Sequence, residues 1–356
     1  MEIKTTLRQD LKQKPPLDAT LPFGRHFTDH MFVMDYNVKD GWHNACITPY
    51  APIALDPAAS ALHYGQAIFE GMKVFKGDDG KVLAFRPEKN MQRLNKSAER
   101  MCMPIVDENF ALDALFKLIK IEKDWVPSDL AASLYIRPFM IATCDALGLA
   151  PSDTYKFAII LCPVGSYYKG GIAPVRIFVE EEFVRAVRGG TGFAKCAGNY
   201  AGTMLSQRRA VANGFDQVLW LDGVHREFIE EVGAMNVMFV IDNKIVTPQT
   251  GGSILPGITR ESILQLLADW GYKIEERAIS IKELEKVYDE GKIQEAFGCG
   301  TAAVVTPIGE LVYGEKTFKL ANGAAGELTQ RIYDEVTQLQ RGKCEDKHGW
   351  VKIVCN

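Results

Sequence analysis

The chain has 356 residues, 47% hydrophobic and 24% charged, with a formal net charge of -4. That length is too great for one compact core and predicts two domains, while the charge excludes the basic footprint of a nucleic-acid binder. No run of 18 apolar residues occurs, so no membrane helix is expected, and the charged opening MEIKTTLRQDLKQK lacks the apolar core of a secretory signal.

Along the chain, HFTDHMFVMDYN reads as a strand, and residues 41–52 as a turn and a second strand. KVFKGDDGKVLAF reads as a hairpin around Asp78-Asp79-Gly80. RPEKNMQRLNKSAERM has Pro87 at its start and apolar residues at Met91, Leu94 and Ala98, which predicts a helix. ALDALFKLIKIEKDW is a second amphipathic helix, and ASLYIRPFMIAT and YKFAIILCPVG are buried strands. The glycines and proline of SYYKGGIAP, residues 166–174, mark a boundary. The expected domains are therefore 1–167 and 175–356, joined by a linker at 168–174.

The second half opens on the strand VRIFVEE. GFDQVLWLDGVHREFIEE supplies two strands around Asp222-Gly223, and NVMFVIDNKIVTP another hairpin. LPGITRESILQLLADWG predicts a helix that starts after Pro256-Gly257 and ends at Gly271. Ser280 and Glu283 in SIKELEKVYDEG have capping-box spacing. GELTQRIYDEVTQLQ is the last helix, followed by a short tail. Hairpin groups with helices between them favour a mixed α+β fold over a doubly wound parallel sheet.

Five stretches could carry chemistry. GGTGFAKCAGNY places Lys195 among small residues with no acid in the segment. An amine must lose its proton to attack a carbonyl, and burial among apolar groups favours that loss. Read alone, the segment is also a plain glycine-rich turn. In LPGITRESILQLL the N–H groups of Ile258 and Thr259 form an anion cradle at a helix start. FIEEVGAMN offers Glu230 and Glu231, one facing solvent and one facing inward; by itself the pair reads as surface glutamates. EAFGCGTAAVV exposes amides beside Thr301 and Ala302, a second anion nest, with Cys299 a buried thiol or a nucleophile. Arg137 lies among the apolar residues of LYIRPF and needs an anion there, whereas Arg93 reads by itself as a helix-surface residue. Eight cysteines without a C-x-x-C pair read as reduced, buried thiols of a cytosolic protein. His43 with Cys46, and Cys344 with His348, have no second pair nearby, so no metal site is expected.

Taken in order, FGRHFTDHMFVMDY, HYGQAIFEGMKVF, FRPEKNMQRL, LYIRP, CPVGSYY, GGTGFAKCAGNYAGT, EEVGAMN, LPGITRESIL and GCGTAA resemble the branched-chain amino acid aminotransferases. These are pyridoxal-phosphate enzymes of fold type IV, in the class IV aminotransferase family. The resemblance implies a small α/β N-terminal domain and a larger C-terminal domain with a mixed, barrel-like sheet. It implies reversible ping-pong transfer between L-leucine, L-isoleucine or L-valine and 2-oxoglutarate, giving 2-oxo acids and L-glutamate, in a cytoplasmic homodimer. It implies that Lys195 forms a Schiff base with pyridoxal 5'-phosphate and moves the proton between substrate Cα and cofactor C4′. Glu231 would pair with the pyridine nitrogen and Tyr200 with the phenolic oxygen. Arg93, Ile258, Thr259 and Thr301 would hold the phosphate. The substrate pocket carries over as Phe23, Tyr64, Phe69, Tyr135, Arg137, Tyr167, Thr301 and Ala302. In it Arg137 would take the distal carboxylate of glutamate, and the amides near Thr301 and Ala302 the α-carboxylate.

The chain departs from the family's commoner pattern at Phe193, Ala234 and Cys299, and Ala303 and Thr306 stand where animal members carry a C-x-x-C pair. These changes bear on substrate preference and on a thiol switch, not on the chemistry. Within the fold the rival readings are a D-amino acid aminotransferase and an aminodeoxychorismate lyase. From other classes they are a thiol hydrolase using Cys299 and a non-catalytic binding protein.

Overall fold

The computed structural model describes residues 1–165 and 172–356. The chain separates into two compact units, one of Met1–Tyr167, Ala194–Ala197 and Gln338–Asn356, the other of Tyr168–Phe193 and Gly198–Thr337. The division is not contiguous, unlike the expected 1–167 and 175–356. A four-residue piece around Lys195 and the C-terminus group with the first unit. Most of the expected linker lies outside the described residues.

The first unit is built on a nine-stranded sheet. Its strands run in the order Lys4–Thr5, Gly41–Pro49, His30–Asn37, Thr154–Val164, Ser133–Ala142, Met72–Lys76, Val82–Phe85 and Val351–Cys355. Ala67–Phe69 pairs separately with Ser133–Ala142. Every pairing is antiparallel except that of Lys4–Thr5. The hairpin at Asp78-Asp79-Gly80 joins Met72–Lys76 to Val82–Phe85, and Gly80 takes the positive φ (82°) that this turn requires. The expected short tail is instead an edge strand, because Val351–Cys355 finds an open partner in Val82–Phe85.

The helices Pro87–Arg100 and Glu108–Ile121 bury Met91, Leu94 and Ala98 from one, and Leu115, Leu118 and Ile119 from the other, in the same core as Phe32, Ile136 and Phe157. Asp107 caps the second helix by accepting from the Phe110 N–H at 2.8 Å, a bond of about 1 kcal/mol.

The second unit also holds a nine-stranded sheet. Ile229–Val232, Gln217–Leu221, Val175–Glu180, Val304–Tyr313, Ile293–Gly300 and Met235–Ile241 follow one another, and the last pairs back with the first, which closes a six-stranded ring. Closure removes the sheet edges and turns one face inward. Leu219, Val237, Phe239, Ile308 and Leu311 are buried there. Lys244–Thr247, Lys273–Glu276 and Lys316–Lys319 extend the sheet beyond the ring. The parallel pairs are Val175–Glu180 with both of its neighbours and Lys244–Thr247 with Lys273–Glu276. The sheet is therefore mixed, as expected. Ser280 Oγ accepts from the Glu283 N–H at 3.0 Å, the cap expected from spacing.

Among the described residues no helix is long and apolar enough to cross a membrane. No group of three His, Cys, Asp or Glu there could hold a metal. Of the cysteines only Cys162, Cys196 and Cys299 are buried. Cys102 is exposed and the rest are half-buried, which corrects the uniform burial expected from their apolar neighbours.

Candidate active site

Lys195 is half-buried, and its backbone is stitched into the first unit on both sides. Its N–H donates to Ser97 Oγ at 2.9 Å, and its carbonyl accepts from the Phe69 N–H at 3.0 Å. The Ala197 N–H donates to the Ala67 carbonyl at 3.0 Å, and Cys196 forms an antiparallel bridge with Ile68. The amine therefore rides on what is nearly an extra strand beside Ala67–Phe69. Its Nζ lies 5.0 Å from the centre of the Phe69 ring.

The small residues upstream serve local geometry. Gly189 has φ 86°. A Cβ on Gly192 would stand 2.1 Å from the Ser253 carbonyl, so no other residue fits there.

Arg93 is not a surface residue. It is 7% exposed, because the helix face that carries it turns toward Ala67–Phe69 and the loop after it. Its guanidinium meets Glu70, a residue the sequence reading passed over inside an aromatic motif. The signal was present: Asn90, Arg93 and Ser97 are polar residues on the same helical period as Met91, Leu94 and Ala98.

Arg137 stands between two rings, its guanidinium carbon 4.6 Å from the Phe69 centroid and 5.3 Å from that of Tyr135. Its Nη2 donates to Tyr135 Oη at 3.0 Å, while its buried Nε has no hydrogen-bond partner among the described residues. Phe23 packs edge-on against Tyr135 at 4.9 Å. These four form one group. Tyr64 is exposed and donates to the Leu147 carbonyl instead. Tyr167 lies outside the described residues.

In the second unit, Glu230 and Glu231 are both buried, at 6% and 3% exposure. The expectation of one solvent-facing carboxylate is corrected. Alternate residues of Ile229–Val232 still point to opposite faces, but residues 253–255 supply partners to both. Glu231 Oε1 accepts from the Leu255 N–H at 2.8 Å, and its Oε2 lies 3.2 Å from Arg185 Nε. Glu231, Arg185, Tyr200, Trp220 and Ala234 line one pocket of about 200 Å³. Two larger clefts of about 640 and 680 Å³ reach Glu230 and Gly257 but neither Glu231 nor Tyr200, so size alone does not mark the site.

The helix Ile258–Asp269 begins with Ile258 and Thr259, and no side chain caps it. A Cβ on Gly257 would collide with Asn236 Oδ1 at 2.0 Å. Asn236, whose Nδ2 donates to the Leu255 carbonyl at 3.0 Å, thus packs against the entry to a helix whose first N–H groups have no side-chain cap, as an anion cradle requires. Thr301 and Ala302 form the turn between Ile293–Gly300 and Val304–Tyr313. Burial pushes the Cys299 thiol up to about 12, which disfavours the thiolate that a thiol hydrolase would need.

Glu230 behaves differently from its neighbour. Burial pushes its carboxyl up to about 7, against the Ser253 hydrogen bond and the Arg185 charge, with Glu231 and Asp222 adding to the rise. The folded chain then binds a proton more tightly than the unfolded one, so this residue's contribution is full below the ordinary carboxylate range and is lost as pH rises to about 7. The loss is on the order of 3 kcal/mol. Glu230→Gln should therefore gain stability over the parent at pH 8 relative to pH 5, read by denaturant titration at both. Equal differences at the two pH values would refute it.

In the second unit Glu231 is a buried carboxylate and the helix start at Ile258 has no side-chain cap, donors of the kind that a protonated ring nitrogen and a phosphate need. The profile of the family described as "Amino-transferase class IV" matches residues 67–311.

The chain belongs to the class IV aminotransferases.

Members of that family depend on pyridoxal phosphate. This class IV aminotransferase is 53% identical to branched-chain-amino-acid aminotransferase 2 of Bacillus subtilis over 99% of its own length and 98% of the relative's. It is 47% identical to the branched-chain-amino-acid aminotransferase of Mycolicibacterium smegmatis over 92% and 91% of the two chains. These relatives place it among the branched-chain aminotransferases. Its structure matches that of the Escherichia coli branched-chain amino acid aminotransferase with a TM-score of 0.77 at 27% identity, covering 92% of this chain and 99% of the other.

Proposed function

We propose that this enzyme exchanges amino groups between L-leucine, L-isoleucine or L-valine and 2-oxoglutarate, reversibly and in two half-reactions. The observation that carries the reading beyond family membership is Arg137. It is one cation with a buried, unpartnered Nε, set in a wall of Phe69, Tyr135 and Phe23. Such a wall suits an apolar branched side chain, and the single cation suits the distal carboxylate of glutamate. One pocket can then serve both partners. A methylene more or less in an apolar pocket is worth only about 1–3 kcal/mol, so all three branched substrates are accepted.

Pyridoxal phosphate supplies an aldehyde that takes up the amino group and a ring that accepts electron density. Lys195 Nζ is its attachment point and moves the proton at the substrate Cα. Glu231 holds the proton on the ring nitrogen, with Arg185 and the Leu255 N–H keeping the carboxylate in place. Tyr200 donates to the phenolic oxygen. Arg93, the Ile258 and Thr259 amides and the Thr301 hydroxyl take the phosphate. Amides near Thr301 and Ala302 would bind the α-carboxylate. In this reading the unit that holds Glu231 is the cofactor-binding domain, and the enzyme is a cytoplasmic homodimer.

Absorbance titration of the purified holoenzyme tests the reading. L-Glutamate should bleach the yellow colour, and 4-methyl-2-oxopentanoate should restore it. Recovery with 2-oxoglutarate but not with the branched oxo acid would overturn the substrate assignment. No bleaching by any amino acid would overturn transamination itself.

A further inference from the structure

Glu70 sits between Phe69 and Gly71 with none of its surface exposed. Its Oε1 accepts from Arg93 Nε at 2.7 Å, and its Oε2 from Arg93 Nη2 at 2.9 Å. Asn90 Nδ2 donates to the same Oε2 at 2.8 Å, and the Gly71 N–H at 3.1 Å. Its own N–H donates to the Pro138 carbonyl at 2.8 Å. Asn90, Arg93 and Ser97 share one face of the helix Pro87–Arg100. Ser97 on that face anchors the Lys195 backbone. One helix face thus carries both Arg93 and the mooring of the reactive lysine, and Glu70 meets that face from the neighbouring strand segment.

We propose that Glu70 is a positioning residue, held by Asn90, that fixes the orientation of the Arg93 guanidinium for its role toward the cofactor phosphate. The inference rests on the reading of Arg93 given above. A buried ion pair adds little net stability, so stability alone does not account for a fully buried carboxylate here. Burial works against its ionisation, but the charge and hydrogen bonds of Arg93 outweigh that and hold the carboxyl below the usual range.

Two effects of removing it oppose each other. Loss of a negative charge strengthens the pull of Arg93 on an anion, whereas loss of the two-bond fork frees a long side chain and its planar head. Two bonds on one edge, with Asn90 fixing their acceptor, make the second effect the larger.

The test compares binding of pyridoxal phosphate with binding of pyridoxal, which lacks the phosphate, to enzyme stripped of cofactor and followed by absorbance. In Glu70→Gln the preference for the phosphorylated form should fall by roughly 30-fold, the scale of breaking a buried charge pair. Affinity for pyridoxal should hardly change. Glu70→Asp should recover part of the preference, and Asn90→Ala should lose part of it. An unchanged or rising preference would overturn the proposal, and so would an equal fall for both ligands, which marks a purely structural role. If Glu70→Gln does not fold, Asn90→Ala decides by the same ratio. A parent enzyme with no preference for the phosphorylated form would overturn the role of Arg93, and this inference with it.

Discussion

Lys195→Ala should abolish transamination while leaving the protein folded. The structure separates the two outcomes cleanly. The backbone at residue 195 is fixed by its N–H on Ser97, its carbonyl on Phe69, and the bonds of its neighbours to Ala67 and Ile68. An alanine keeps them all. The side chain is half-buried; its contact with the Phe69 ring is worth on the order of 0.5–1 kcal/mol. The thermal midpoint should therefore hardly move. In the proposed mechanism turnover would lose both the covalent attachment and the proton transfer, and the latter alone contributes about 10²- to 10⁴-fold. Single-turnover assays with L-leucine, beside a melting curve, check both halves. A variant with substantial turnover would refute the role of this lysine, and one that fails to fold would refute the backbone argument.

Glu231→Gln should lower kcat by about 10²- to 10³-fold, the usual scale for removing one preorganised electrostatic group. Glutamine can still accept from the Leu255 N–H, so the backbone around the strand is kept. What is lost is the negative charge beside Arg185. The buried guanidinium then has no carboxylate at 3.2 Å, a change that costs about 3–5 kcal/mol of stability. The variant should melt at lower temperature, and its kinetics must be read below that temperature. KM for L-leucine should change far less than kcat, because in the proposed mechanism the carboxylate would act on the ring and not on the substrate side chain. A parent-like kcat in folded protein would remove Glu231 from the mechanism. Glu231→Asp, which keeps the charge, should recover part of the rate.

The rival readings separate on particular residues. A hydrolase would need Cys299 as thiolate, but it lies fully within the sheet between Met235–Ile241 and Val304–Tyr313. A D-amino acid aminotransferase or an aminodeoxychorismate lyase would share Lys195 and Glu231, so the site chemistry does not distinguish them. The near full-length similarity to branched-chain relatives does.

Local pattern was enough for the order and type of most elements. The hairpins at Asp78-Asp79-Gly80 and Asp222-Gly223, the proline-led helix at Pro87 and the Ser280 cap all arise from neighbouring residues, and they form as those residues dictate. The composite of short motifs likewise carries the proposal of Lys195 and Glu231 as site residues. Tertiary structure alone decided burial and partnership. Arg93 looks solvated from its own helix, yet Glu70, 23 residues earlier, draws it inside. Glu230 looks like an exposed neighbour of Glu231 until Ser253, 23 residues later, covers it. The C-terminal tail becomes a strand only because Val82–Phe85 has an unfilled edge. In each case the deciding energy is desolvation, which depends on what a distant segment brings to the group and leaves no periodic trace in the residues beside it.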